Sequence, residues 1–140
     1  MNKISVMRLS DKAILPTRGH ADDAGLDLYC AGETRLLPGM ANVIKTDVAV
    51  EIPQGFVGLV RDRSSISKSE LKVTAGVVDA GYTGSVDVVM LNLAGRLITL
   101  PAGTKIAQLL ILPCATPQVV EVTSLAKTAR GDKGFGSTDV

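Results

Sequence analysis

The chain has 140 residues, and its 15 basic and 14 acidic side chains leave a formal net charge of +1, so no overall field draws it to nucleic acid or a membrane surface. Hydrophobic residues make up 46% of the chain but aromatics only 3%, with no Trp, so any core is aliphatic, which suits packed strands. This length is that of one domain, and anion binding, if any, must be local.

At the N-terminus, Met1-Asn2-Lys3 leads straight into Ile4-Ser5-Val6-Met7, too short for a signal peptide, and no later apolar run reaches the roughly 18–20 residues of a membrane span. A cytoplasmic location is the expectation. The polar loop Thr17–Asp23 holds His20, the only histidine, with no nucleophile in a recognisable context for a Ser-His-Asp or Cys-His mechanism, and Asp22-Asp23 reads as a turn. In Leu26-Asp27-Leu28-Tyr29 the alternation puts the leucines on one face and Asp27 on the other. Cys30 and Cys114 are the only cysteines, too few for a structural zinc site, and read as free thiols.

Gly and Pro punctuate the chain about every ten residues, and short apolar runs fill the gaps: 47–52, 56–60, 86–93 and 106–112 have strand length and β-branched character. Leu37-Pro38-Gly39 and Leu100-Pro101-Ala102-Gly103 each place a turn just before such a run, like matching corners of a rolled sheet. The expected fold is all-β, a sandwich or barrel of short antiparallel strands. Only Ser64–Leu71 resembles a helix, with a cap available at Ser65 or Ser67 and Glu70 placed for a capping box with Ser67.

Three segments could carry chemistry. Arg61-Asp62-Arg63-Ser64-Ser65 brings guanidinium, hydroxyls and free N–H groups together where a strand gives way to the helix, which is either a phosphate cradle or a capped helix with solvated arginines. Gly76–Gly84 reads as a hairpin in which Asp79 precedes the turn, Tyr82 lies inside it, and the strand resumes at Val86, Val88 and Val89. Gln108, in an otherwise apolar run, is either edge-facing or binding something. From Thr123 strand character fades, and the glycine-rich end Arg130–Val140 carries Phe135 without apolar neighbours, equipped to stack on a planar ring while Arg130, Lys133 and the hydroxyls hold anionic oxygens. We expect a domain over 1–122 and a flexible tail over 123–140.

Taken in order, Ala24–Tyr29, Arg63–Ser65, Gly76–Gly84, Gly103–Gln108 and Arg130–Thr138 resemble the five motifs of the homotrimeric dUTP diphosphatases, the dUTPases. The resemblance implies a distorted β jelly roll with one short helix, a homotrimer with shared active sites, dUTP as substrate, and Mg2+ as cofactor, held mainly by the triphosphate. It implies that Asp79 orients and deprotonates the attacking water, that Gln108 stands near that water and the α-phosphate, and that Tyr82 packs under the deoxyribose. Gly76, Val77 and Val78 would read uracil through their backbone, while Arg63, Ser64 and Ser65 would hold phosphates. Asp27 would support the metal and phosphate region through water or the motif-two arginine. Arg130, Ser137 and Thr138 would contact the γ-phosphate, with Gly136 beside them, and Phe135 would stack over uracil as the tail closes. Asp62, Thr83, Thr104-Lys105 and Lys133 depart from the usual pattern, and Asp62 sets a negative charge beside the phosphate residues. Two other readings stand beside this one: a dCTP deaminase on a similar fold, and a nucleotide-dependent module that switches a regulatory protein partner.

Overall fold

The computed structural model describes residues 3–134. The Val- and Leu-rich runs become strands: β1 (Val6–Arg8), β2 (Leu26–Tyr29), β3 (Thr34–Leu36), β4 (Ala41–Ile44), β5 (Val48–Val50), β6 (Phe56–Arg61), β7 (Leu71–Ala75), β8 (Val77–Val78), β9 (Val88–Asn92), β10 (Ile98–Leu100) and β11 (Lys105–Pro113). One short helix, α1 (Ser64–Ser67), interrupts them. All pairings are antiparallel. The strands form a four-stranded sheet in the order β2-β11-β6-β8, a three-stranded sheet β4-β9-β7, and two ribbons, β1-β5 and β10-β3. The sheets enclose an aliphatic core built on Leu28, Leu36, Ile44, Met90, Ile106 and Leu109, all completely buried. This is the all-β distorted jelly roll that was expected, although the strands stay in separate sheets and do not close into one continuous barrel ladder. Both Pro-containing corners turn on a glycine with positive φ, Gly39 at 67° and Gly103 at 78°.

Alternation alone does not position the strand that matters most. In β11 both Ile106 and Ala107 are buried, because the pairing with β2 slips between Lys105 and Ala107. This bulge re-phases the strand so that Gln108 lies outside the core while Leu109 returns to it. β11 lies between β2 and β6, so Gln108 is not edge-facing.

Two local expectations are corrected. The helix has Arg63 as its N-cap, in extended conformation with no side-chain cap. Glu70 closes no capping box: it stands two residues beyond the helix C-cap with φ +61° as the chain turns into β7. The Gly76–Gly84 segment is a turn between sheets instead of a ladder hairpin, because β8 pairs with β6 while β9 pairs with β4 and β7. The turn itself forms as read, with the Tyr82 N–H donating to the Asp79 carbonyl at 3.1 Å and Gly81 at φ 90°.

Candidate active site

The end of β6 and the start of α1 deliver Arg63, Ser64 and Ser65 to a cleft of about 540 Å³, whose far wall is β2 and β11. Asp27, Gln108 and Lys105 line it too, with Gly25 and the loop residues Gly19, His20, Asp23 and Ala24 at its border. Pairing explains the meeting: Gln108 stands opposite Asp27 on one side of β11 and opposite Arg61 on the other.

Asp27 is the electrostatic centre of the cleft. Its Oδ1 accepts from Arg63 Nε at 2.7 Å and its Oδ2 pairs with Lys105 Nζ at 2.8 Å. The hydrogen bond that Lys105 donates to Asp27 raises the Lys105 ammonium above its ordinary range, against the opposing pull of desolvation, so this cation stays charged across neutral pH. Arg63 also reaches Ser65 Oγ through Nη1 at 3.3 Å. Gln108 Nε2 donates to the Asp62 carbonyl at 2.8 Å, leaving its Oε1 over Gly25. The cleft therefore presents two cations and two hydroxyls, a donor set suited to phosphate oxygens, with one amide oxygen beside them as an acceptor.

Asp62, whose negative charge stands beside the phosphate residues in sequence, does not line the cleft. Desolvation would push its carboxyl pKa up, but the Lys72 ammonium and the Val73 N–H hold it below the usual carboxylate range. The carboxylate bonds these two β7 groups, Val73 N–H at 2.6 Å, and its charge is spent there.

The 76–84 segment lies at a different hollow of about 170 Å³, lined by Gly76, Val77, Val78, Tyr82 and Asp87 among others. Gly76 packs so closely on β6 that a Cβ there would lie 2.6 Å from the Val60 carbonyl oxygen. Val78 is buried, whereas Val77 is exposed on an edge strand. Tyr82 folds back over Gly84 and donates to the Ser85 carbonyl at 3.0 Å, so one ring face is fixed on the turn while the side chain stays 46% exposed. Asp79 is exposed at the same turn. One chain thus gathers Asp27, Arg63, Ser64, Ser65 and Gln108, and separately Asp79, Tyr82 and the 76–78 backbone. Arg130 belongs to neither group: it is exposed, and its Nε donates to the Lys133 carbonyl at 3.0 Å. Phe135, Gly136, Ser137 and Thr138 lie outside the described residues.

Sequence reasoning passed over three cleft residues: His20, Gly25 and Lys105. The turn at Asp22-Asp23 forms as read, Asp23 accepting the His20 N–H at 2.8 Å, and that turn sets His20 at the cleft border. Gly25 and Lys105 fall within the first and fourth motifs, but what each touches depends on how β2 pairs with β11.

Magnesium fits here only in one way. Among the described residues no three His, Cys, Asp or Glu side chains cluster as a metal site, and both oxygens of Asp27 already serve cations. These donors do not make a protein cage, but they suit an ion carried by phosphates and met by Asp27 through water.

Fold and cleft together define an all-β protein of jelly-roll type with a polar cleft, carrying two cations, beside its four-stranded sheet. A family model described as dUTPase matches residues 11–139. The deoxyuridine 5'-triphosphate nucleotidohydrolase of Mycolicibacterium gilvum is 44% identical over 144 residues, covering 96% of this chain and 94% of the relative. The Staphylococcus bacteriophage 80alpha dUTPase, solved with dUPNHPP, superposes with a TM-score of 0.92 at 34% identity over the whole of both chains. A mutant dUTPase of phage phi11, described for its coordination of a structural Mg(II) ion, superposes with a TM-score of 0.82 at 33% identity over 90% of this chain and all of that one. The chain belongs to the dUTPase family.

Proposed function

We propose that this protein hydrolyses dUTP to dUMP and diphosphate, limiting uracil entry into DNA and supplying dUMP for thymidylate synthesis. The observation that carries this reading is the cleft in which Arg63, Ser64, Ser65 and Gln108 converge around Asp27, in a chain of the dUTPase family. A triphosphate near neutral pH carries about four negative charges, and attack at phosphorus is governed by how well they are spread. Arg63 and the two serines take the phosphate oxygens, and Lys105 adds a second positive charge beside them. Magnesium, when bound with the triphosphate, neutralises and polarises its oxygens.

Asp79 takes the proton of the attacking water, and Gln108 holds that water near the α-phosphate. Tyr82, braced on Gly84, offers its ring to the deoxyribose and leaves no room for a 2′-hydroxyl. The edge strand β8 has main-chain groups without a strand partner on one side, and these read the uracil edge as a neighbouring strand would. The two half-sites of one chain lie apart, so the working form is a homotrimer in which each site combines Asp79 and Tyr82 of one copy with the phosphate cleft of another. Residues 123–140 then form a tail that closes over a neighbouring site, with Arg130, Ser137 and Thr138 on the γ-phosphate, Gly136 beside them and Phe135 over the base.

Diphosphate release from dUTP, dTTP, dCTP and UTP by the purified protein with magnesium tests the reading. Release from dUTP far faster than from the other three is expected; equal rates on all four overturn it, and ammonia release from dCTP would point to the deaminase instead. The 80alpha neighbour is described under phage dUTPases that control transfer of virulence genes by a proto-oncogenic G protein-like mechanism. A nucleotide-dependent switch of a protein partner is therefore worth testing by pull-down with and without a non-hydrolysable dUTP analogue.

A further inference from the structure

We infer that Asp62 is a positioning residue that holds Gln108 with its amide oxygen free in the cleft, by pinning the main chain at the end of β6 to the open edge of β7. This rests on the hydrolytic reading above. The chain of contacts is short. The Asp62 carboxylate accepts the Val73 N–H at 2.6 Å and pairs with the Lys72 ammonium. β7 is the outer strand of its sheet and β6 belongs to the other sheet, so the carboxylate stands where a strand carbonyl would otherwise be needed and ties the two sheets together. The carbonyl of the same residue accepts Gln108 Nε2 at 2.8 Å.

That second bond fixes which end of the amide does chemistry. A carbonyl only accepts, so the Gln108 NH2 must face it, and Oε1 is left over Gly25 inside the cleft. An acceptor there can take a hydrogen from the attacking water; an NH2 there could not. The dependence is one-sided. Arg63 is anchored by Asp27 and Ser65, whereas Gln108 has this one side-chain hydrogen bond among the described residues. Releasing residue 62 therefore disturbs the water's partner more than the phosphate ligand.

The test compares Asp62→Ala, Asp62→Asn and Gln108→Ala in the full-length protein, with folding checked by thermal melting. Asp62→Ala lowers kcat for dUTP about ten- to a hundredfold while KM stays within about twofold, the pattern of lost positioning with binding intact. Asp62→Asn restores most of kcat, because its amide oxygen still accepts the Val73 N–H. In the Gln108→Ala background, Asp62→Ala causes less than about a twofold further loss, since the two act as one unit. Full multiplicative loss in that background, or an Asn variant as impaired as Ala, overturns the inference. A readout independent of turnover keeps it testable whatever the substrate: the Gln108 side-chain amide resonances shift and lose exchange protection in Asp62→Ala and return in Asp62→Asn. Unchanged resonances in Asp62→Ala overturn the inference, whereas a wild type inactive on dUTP overturns only the hydrolytic reading.

Discussion

Gly25 contributes no functional atom, yet it decides where one lies. A Cβ at this position would stand 2.1 Å from Gln108 Oε1 and 3.0 Å from Gln108 Cβ, so even Ala forces the amide to rotate. Because β11 is held on both flanks, the strand cannot yield, and the side chain must. Gly25→Ala is expected to lower kcat on dUTP about tenfold while shifting Tm by no more than about 3 °C; full activity would show that Gln108 tolerates another rotamer.

Asp62 illustrates how a charge beside phosphate-type residues in sequence can serve the fold through β7. Its folded pKa lies below the unfolded value of about 3.9. A lowered carboxylate pKa stabilises the fold above the unfolded value, and that stabilisation is lost as pH falls through the folded one. The stability gap between wild type and Asp62→Asn is therefore expected to be constant between about pH 6 and pH 8 and to close below about pH 4, measured by urea unfolding. A gap that persists unchanged into acid would show that the carboxylate's charge contributes nothing.

At the scale of elements, the corners do as much as the strands. Asn92 at the end of β9 is completely buried, donates through Nδ2 to the carbonyls of Leu36 and Arg96 at 2.9 and 2.8 Å, and accepts the Ala94 N–H at 3.0 Å. It joins β9 to β3 and to the loop before β10. Asn92→Ala leaves the buried Leu36 carbonyl without this partner and the part-buried Arg96 carbonyl and Ala94 N–H to find water, and is expected to cost about 1–3 kcal/mol in denaturant unfolding; no measurable loss would mean that water or a shifted loop replaces the amide.

These corners also mark where the sequence stopped being readable. Strands β5, β6, β9 and β11 announce themselves by β-branched runs between turns, and Asp27, Arg63, Ser64, Ser65 and Gln108 meet in one cleft as their motifs imply. The three-residue strands β3 and β10 are too short to carry a period, and each is defined only by its partner, Leu36 opposite Ile98. The run 64–71 has helical composition, but its last residue begins β7, because Leu71 is worth more buried in the core than in another helical turn. Likewise the Gly76–Gly84 turn was legible as a turn, while the sheets its arms join were not, since a two-residue strand takes its partner from tertiary packing. The cleft contacts of Gly25 and Lys105 stayed hidden because they depend on the pairing of β2 with β11 and on its bulge beside Lys105, not on alternation.

On the scale of the molecule, β6 leads to both groups of residues on which the proposed chemistry rests and sends them apart. Its middle pairs with β8, which leads to Asp79, and its end leads into Arg63. Two groups of residues that line separate hollows of one chain can be brought together across an interface between copies, and symmetry then makes every site equivalent. This has a quantitative consequence. Asp79→Asn and Arg63→Ala are each expected to abolish turnover alone, and Lys105 still pairs with Asp27 when Arg63 is gone, so Asp27 keeps an ion-pair partner in the second variant. Unfolding and reassembling the two variants together in equal amounts joins an intact Asp79 to an intact Arg63 in about one quarter of the sites. Recovery of activity toward that fraction is expected, with a scattering mass of three chains. If Asp79 and Arg63 served the same site from one chain, no mixing ratio would recover any activity, and the shared-site account would fail with it.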